Sequence, residues 1–215
     1  MKTILFIETS PRGKDSASRS VSNTLLSRLT AMYPTAKVVR RDLSAESLPH
    51  LDGATLRAIA AKDVAEQPQQ LTNESMQSEV ARAMPHALQS DRLTDELLEA
   101  DLLVIATPMW NFGIPSMLKA WVDLVVRPGK TFQYVENGVI GLAKGKKAIL
   151  VLASGGVFSS GPWRPWDFVE PYLRQILGFI GIDDVQTVRA EGMNIPDLAG
   201  NAIPKANKDV ESLAL

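Results

Sequence analysis

The sequence contains no cysteine, and this absence excludes several kinds of chemistry. The chain cannot form disulfide bonds, bind zinc or an iron–sulfur cluster through thiolates, or use a cysteine nucleophile. Histidine is scarce as well, with only His50 and His86. Because no His-x-x-His spacing and no Ser/His/Asp arrangement is evident, the sequence offers no machinery for metal-assisted or triad hydrolysis.

A charge excess and long apolar runs are also lacking. Lysine and arginine total 23 against 24 aspartates and glutamates, so nothing indicates a nucleic-acid binder or a polyanionic tail. The apolar run at 148–153 is far shorter than the roughly 20 residues of a membrane helix. The apolar stretch within the first eight residues is too short to be the hydrophobic region of a signal peptide. We therefore expect a cytoplasmic protein with no membrane partner. Its 215 residues, 45% hydrophobic, predict one domain over 1–215.

Five short apolar runs are present, and each has the length of a strand. They are nearly continuous in Val, Ile and Leu, which is typical of strands buried on both faces of a parallel sheet. Amphipathic or apolar helical patterns lie between them, at 20–32, 93–100, 115–126 and 168–179. The predicted strands are 3–7, 37–39 leading into Asp42, 102–106, 148–153 and 185–188.

Strands that alternate with helices predict an α/β fold, a doubly wound five-stranded parallel sheet with helices on both faces, as in flavodoxin-like proteins. Ligands of such folds bind beyond the carboxyl ends of the strands, so the loops after strands one, three and four are the candidates for chemistry. Two segments are additional to the elements of a minimal fold of this kind. Residues 50–73 predict a helical insertion with a polar loop, and residues 130–144 predict an extended arm or hairpin with a turn at Asn137-Gly138.

The loop after strand one, residues 9–20, is rich in hydroxyls and basic side chains. It precedes a helix, whose free N–H groups and dipole attract phosphate, and serines with Arg12, Lys14 or Arg19 could complete the site. The loop has neither a Walker A nor a G-x-G-x-x-G pattern, which disfavours triphosphate and Rossmann dinucleotide binding. Alternatively, Ser16 or Ser18 only caps the helix.

The loop after strand three, residues 107–116, is the most informative stretch. Between two prolines it carries Trp110, Asn111 and Phe112, a combination suited to clamping a flat heteroaromatic ring. Alternatively, both aromatic side chains fill the core. After strand four, Gly155-Gly156 permits positive φ and close backbone approach to a ligand, although a tight turn would need the same glycines.

Together these loops resemble the FMN-dependent NADH-azoreductase (NADH:quinone oxidoreductase) family of flavodoxin-like enzymes. The resemblance extends over nearly the whole chain, and it rests on Ser10 with Ser16-Ala17-Ser18, Pro108-Met109-Trp110-Asn111-Phe112, Leu118-Lys119-Ala120-Trp121-Val122-Asp123, Thr131-Phe132-Gln133-Tyr134, Gly145-Lys146-Lys147-Ala148, Leu177-Gly178-Phe179-Ile180-Gly181-Ile182 and Ala190-Glu191-Gly192.

The resemblance implies a homodimer with active sites at the subunit interface and one noncovalent FMN per subunit. NADH or NADPH would donate two electrons, by a ping-pong mechanism, to quinones or azo compounds. No side chain is expected to be catalytic, because hydride chemistry takes place on FMN. The implied FMN-binding residues are Ser10, Ser16, Ala17 and Ser18 at the phosphate, Pro108, Met109, Trp110, Asn111 and Phe112 at the ring, and Ala153, Ser154, Gly155 and Gly156 along its pyrimidine side.

The resemblance also makes Phe132 and Tyr134 candidate substrate-facing residues that reach toward the neighbouring subunit's pocket. The sequence departs from the family at two places. Many members have Tyr at the position of Trp110, and often Ser-Arg-Gly-Gly where this chain has Ala153-Ser154-Gly155-Gly156.

The helix at 115–126 gives a separate reason to expect a dimer. Its only polar side chains, Ser116, Lys119 and Asp123, form one narrow stripe, and an otherwise apolar helix must be covered on two sides. A second subunit or the insertion at 50–73 could supply the second cover. Alternative functions are a flavodoxin-like electron carrier, an acyl-carrier-protein phosphodiesterase-type hydrolase, and a nonenzymatic cofactor-binding module.

Overall fold

A computed structural model describes residues 1–63 and 74–215, and its centre is a five-stranded parallel sheet. The strands are β1 (Thr3–Glu8), β2 (Lys37–Asp42), β3 (Leu102–Pro108), β4 (Phe132–Val135), β5 (Gly138–Gly141), β6 (Lys147–Ala153) and β7 (Asp184–Ala190). The helices are α1 (Ala17–Met32), α2 (Gly53–Asp63), α3 (Glu74–Glu99), α4 (Ser116–Val125), α5 (Glu170–Ile180) and α6 (Pro196–Glu211).

The sheet has the order β2-β1-β3-β6-β7, and all four pairings are parallel. This order confirms the predicted flavodoxin-like fold, whose strand order reverses beside the first strand. The three central strands are buried almost throughout, whereas β2 and β7 at the edges are only half-buried. All five predicted strands are present, each extended by one to three residues.

Helices cover both faces of the sheet. On one face, β1, β3 and β6 pack with α3, α4 and α5 around Leu97, Leu118 and Leu173. On the other face, the same strands pack with α1 and α6 around Leu25 and Val210. The carboxyl ends of the strands therefore remain uncovered, and the loops that follow them meet there.

Helix α4 does not require a second subunit to cover it. Leu118, Trp121, Val122 and Leu124 are at most 3% exposed within the single chain. Helix α3 supplies the second cover, and Ser90 Oγ donates a hydrogen bond of 2.6 Å to the Leu124 carbonyl. The apolar circumference of α4 is therefore no reason by itself to expect a dimer, because α3, predicted only over 93–100, packs along it.

The two segments beyond the minimal fold adopt the predicted structures where they are described. The insertion contains α2, which packs on α3, while residues 64–73 lie outside the described residues. The arm forms the antiparallel hairpin β4–β5, but its turn is Glu136-Asn137, one residue earlier than expected, because Gly138 already pairs with Val135.

Within residues 1–63 and 74–215, no helix combines the length and apolarity that crossing a membrane requires.

Candidate functional site

The three loops predicted to carry chemistry meet at the carboxyl edge of the sheet and enclose a cleft of about 210 Å³, here called the main cleft. It also includes residues from the loop after β7, at the same edge. Most of the predicted FMN-binding residues line it: Ser10, Ser16, Ala17, Ser18, Pro108, Met109, Trp110, Ala153, Ser154 and Gly155.

One end of the main cleft is rich in hydroxyl groups. Ser10, Ser16 and Ser18 are each at most 4% exposed. Ser16 caps α1, since its Oγ accepts a hydrogen bond of 3.2 Å from the Arg19 backbone N–H, and its Oγ lies 3.1 Å from Ser18 Oγ. Hydroxyl groups at a helix N-terminus are compatible with anion binding, so the capping role of Ser16 does not exclude a phosphate-binding role.

Only one of the three candidate cations lines this end. Arg12 borders the main cleft, and its guanidinium carbon lies 5.9 Å from the centre of the Trp110 ring. Arg19 instead pairs with Asp42 at 2.7 Å and approaches Glu8. Lys14 is exposed and does not line the cleft. Arg12 is therefore the one of the three that borders the main cleft, whereas the buried Glu8 on β1 and the partly exposed Asp42 on β2 hold Arg19.

A tight turn over residues 110–113 borders the main cleft through Trp110. Trp110 and Gly113 exchange backbone hydrogen bonds of 3.0 and 2.9 Å. Asn111 and Phe112 have φ values of 46° and 68°, a conformation that no other non-glycine residue of the described chain adopts. Phenylalanine rarely occupies this region, and such strain concentrates at functional sites.

The turn directs its side chains to different places. Trp110 lines the main cleft and is 43% exposed, so it does not fill the core. Phe112 packs against Phe158, Trp163 and Trp166 instead. Asn111 and Phe112 thus shape the turn beside the main cleft without lining it.

Gly155 and Gly156 are required by close packing and not by positive φ, which neither adopts. A Cβ on Gly155 would lie closer than 3.0 Å to the side chain of Asn194, and a Cβ on Gly156 would lie 3.1 Å from the Phe158 ring. Asn194 N–H donates to the Gly155 carbonyl at 2.9 Å, and Gly192 N–H donates to the Gly156 carbonyl at 3.0 Å.

Residues that the sequence analysis did not assign also line the main cleft. Met193 and Asn194 come from the loop after β7, and Asp15 comes from the loop after β1. The position of the fifth strand was a usable signal, because its carboxyl end lies at the same sheet edge as the others.

A second cavity of about 490 Å³, here called the aromatic pocket, adjoins the main cleft and shares Gly155 and Asn194 with it. Gly156, Phe158 and Trp163 line it. The main cleft alone is smaller than the roughly 300–1,000 Å³ of ordinary small-molecule sites, whereas the aromatic pocket falls within that range.

Phe132 and Tyr134, the two candidate substrate-facing residues on the hairpin, differ in exposure. Phe132 is 6% exposed, and its ring centre lies 4.7 Å from that of Phe179, so it packs inside its own chain. Tyr134 is 74% exposed. Only Tyr134 is thus available to a molecule outside the chain.

A cluster of charged side chains surrounds Arg189. Arg189 on β7 donates hydrogen bonds to Asp167, Glu170 and Glu191. Burial alone would raise the pKa of Glu170, but hydrogen bonds from Arg189, Thr187 and Arg174 outweigh it and lower this pKa to about 2.

The low pKa of Glu170 predicts acid sensitivity. A depressed carboxyl pKa stabilises the folded state above the ordinary value of 4.5, and this stabilisation is lost as the pH falls toward 2. Because the side chain is one-fifth exposed and screened by water, we expect a loss of about 1–2 kcal/mol in the free energy of unfolding. Urea unfolding of the wild type and of Glu170→Gln between pH 5 and pH 3, which lies inside that window, measures this loss. If the free energy of unfolding falls equally with pH in both proteins, the prediction is contradicted.

Comparisons with known proteins agree with this architecture. A sequence profile for a family described as having a flavodoxin-like fold matches residues 2–214. An FMN-dependent NADH:quinone oxidoreductase of Beijerinckia indica is 68% identical over 215 residues, with both chains fully covered. An azoreductase of Bacillus anthracis str. Sterne superimposes with a TM-score of 0.86 at 29% identity, covering 99% of this chain and 98% of that one. An FMN-dependent NADH-azoreductase of Bacillus anthracis str. Ames Ancestor, in complex with FMN, has a TM-score of 0.80 at 26% identity, with both chains fully covered.

Proposed function

This chain belongs to the flavodoxin-like family that includes the FMN-dependent NADH:quinone oxidoreductases and azoreductases, and on that premise we propose that it transfers two electrons from NAD(P)H to quinones or azo compounds. The observation that carries the proposal is the main cleft, whose lining combines the hydroxyl-rich N-terminus of α1 with Trp110 of the strained turn at 110–113. We further propose that residues 1–215 form one FMN-binding domain in a cytoplasmic homodimer.

The residues of the main cleft fit FMN in their chemistry. Ser10, Ser16, Ser18 and Arg12 would hold the phosphate, together with the N–H groups of the first turn of α1. Trp110 and Met109 would border the ring. At Gly155 the absence of a Cβ lets the Asn194 side chain pack against the backbone, so both residues form one wall of the main cleft.

FMN, when bound, supplies hydride acceptance and donation at its ring. The chain orients the ring and stabilises charge on it. The N–H groups of Gly155 and Gly156 pair with no backbone carbonyl in the described part of the chain, so both can donate to an electron-rich ring edge. Protons for the product can come from solvent, because the described cleft holds no histidine.

The proposed cycle has two halves that use one binding face. The turn at 110–113 would hold NAD(P)H so that its hydride can pass to the bound flavin, after which NAD(P)⁺ would leave. An electron-poor planar acceptor then occupies the same face and leaves with two electrons and two protons, one of them from solvent. Trp110 is exposed enough to contact either molecule.

The visible absorption spectrum tests the proposal. The purified protein is reconstituted with FMN, desalted, treated with NADH without oxygen, and then mixed with a quinone. We expect a retained flavin band that bleaches with NADH and returns with the quinone, and sustained turnover when both are present. An electron carrier would retain FMN without turnover, and failure to retain FMN would contradict the proposal at its first step.

Asn111→Ala is expected to weaken FMN retention by up to about fivefold, because alanine at φ 46° costs about 1 kcal/mol more than asparagine, and the empty cleft can relax this turn whereas bound FMN requires it. Equilibrium titration with FMN measures the change. Asn111→Gly is the matched control, since glycine removes the amide but adopts this φ freely. If both variants bind FMN and turn over normally, Asn111 does not belong to the site.

Exposed apolar side chains on the hairpin support the proposed homodimer. Tyr134, Val135, Val139, Ile140 and Leu142 are each between 36% and 74% exposed. Tyr134 and Val139 lie opposite one another on the hairpin, and exposed apolar groups that lie together mark interaction surfaces. We propose that the hairpin contacts a second subunit and that Tyr134 reaches its active site. Light scattering that gives the mass of one chain would contradict this part of the proposal.

A further inference from the structure

One wall of the aromatic pocket is a loop held at both ends by a single arginine. This loop, residues 157–167, is here called the aromatic loop, and it carries Phe158, Trp163 and Trp166. The ring centres of Phe158 and Trp163 lie 6.0 Å apart, and those of Trp163 and Trp166 lie 6.3 Å apart. Trp163 is 53% exposed, so part of its ring is free to contact a ligand.

The first end of the aromatic loop is fixed by Glu191, which follows β7. Its Oε1 accepts hydrogen bonds from the backbone N–H groups of Phe158 at 2.8 Å and Ser159 at 2.9 Å. Its Oε2 accepts a hydrogen bond of 2.5 Å from Ser159 Oγ. This one carboxylate therefore sets the direction in which the chain leaves Gly156.

The second end is fixed by Asp167, whose Oδ1 accepts hydrogen bonds from the N–H groups of Val169 at 2.9 Å and Glu170 at 3.2 Å. Arg189 joins the two ends. Its Nη1 donates to Glu191 at 3.2 Å, and its Nη2 donates to Asp167 and Glu170. The Arg189 side chain is only 12% exposed, so these charged hydrogen bonds are poorly screened by water.

We propose that Arg189 is a positioning residue that holds the aromatic loop in place. The planar aromatic acceptor lies over the same face beside Trp110 as NAD(P)H does, but it also extends into the adjoining aromatic pocket, where Phe158 and Trp163 bind it. This inference rests on the proposed function. Arg189 lines neither the main cleft nor the aromatic pocket. Its replacement should therefore weaken acceptor binding while FMN binding and reduction by NADH are preserved.

Arg189→Lys is the conservative test, because lysine keeps the positive charge among the three carboxylates but lacks the planar fork that joins both loop ends. Arg174→Lys is the matched control. Arg174 also donates to Glu170, at 2.7 Å, but its other partners are Val185 and Thr187 on β7 and not the aromatic loop. Trp163→Ala, at a half-exposed position, tests the pocket wall without disturbing a buried charge.

Steady-state kinetics on the FMN-loaded, full-length protein compare menadione with ferricyanide, which accepts one electron at a time and needs no apolar pocket. We expect Arg189→Lys and Trp163→Ala to raise the KM for menadione about tenfold, with ferricyanide turnover and the rate of flavin reduction by NADH within about twofold of wild type. Arg174→Lys should leave all three unchanged.

Amide hydrogen exchange with and without FMN gives a readout that does not depend on turnover. Phe158 and Ser159 should lose protection in Arg189→Lys and keep it in Trp163→Ala and Arg174→Lys. Equal losses of FMN binding, NADH reduction and quinone turnover in Arg189→Lys would overturn the inference, because they would indicate a general structural role. An unchanged menadione KM in Trp163→Ala would also overturn it. Absence of turnover in the wild type would overturn the proposed function and this inference together.

Discussion

Replacing Ser16 with aspartate is expected to give a folded protein whose affinity for FMN is at least about a hundredfold lower than that of the wild type. Ser16 lies at the hydroxyl-rich end of the main cleft and is 4% exposed. A phosphate held there would lie about 4 Å from the new carboxylate, and two like charges at that distance near a protein surface repel by about 4 kcal/mol. Each 1.4 kcal/mol corresponds to a tenfold change in affinity, so a hundredfold loss is a modest expectation.

The substitution should not unfold α1. Ser16 caps this helix through Arg19 N–H, and aspartate is as good an N-cap as serine. Ser16→Asn is the matched control, because asparagine also caps and has the shape of aspartate without its charge. In equilibrium dialysis, the dissociation constant for FMN should be at least tenfold higher for Ser16→Asp than for Ser16→Asn. If Ser16→Asp retains FMN at the wild-type level, the phosphate lies elsewhere.

The sheet could be predicted from the sequence because burial on both faces leaves a simple pattern. In β3 and β6, nearly every residue is apolar, and a continuous apolar run of this length is typical of a strand that is buried on both faces. Helix α3 was predicted only over its last turns. Its interior contains Pro85, which ordinarily ends a helix, and only packing against α2 and the sheet overrides that preference.

The site could be predicted in part, because three of its loops carry chemically distinctive residues. The serines after β1 and Trp110 after β3, which line the main cleft, stand out in the sequence for this reason. Asn194 does not, since an asparagine after an edge strand resembles any other loop residue until the sheet order places it beside Gly155. Tertiary contacts alone decide that Arg19 turns toward Glu8 and Asp42 and that Phe112 adopts a positive φ.

Gly141→Ala is expected to lower the free energy of unfolding by about 3 kcal/mol, which corresponds to a melting temperature about 10 °C lower for a chain of this size. Gly141 ends β5 and lies against the last turn of α5. A Cβ at this position would lie closer than 3.0 Å to the backbone of Ile180 and Gly181. Backbone atoms cannot move aside as a flexible side chain can, so the hairpin must shift away from α5.

The shift would break more than one contact. Ala143 N–H donates a hydrogen bond of 2.8 Å to the Ile180 carbonyl, and Phe132 of the hairpin packs on Phe179 in the same turn of α5. Gly200→Ala is the matched control, because Gly200 lies inside α6 with open space around its Cβ and an ordinary helical φ. Alanine there should stabilise the protein by about 0.5–1 kcal/mol. Calorimetry therefore compares two glycine-to-alanine substitutions that are expected to change the melting temperature in opposite directions. Equal melting temperatures for the two variants would mean that the hairpin does not pack against α5 as described.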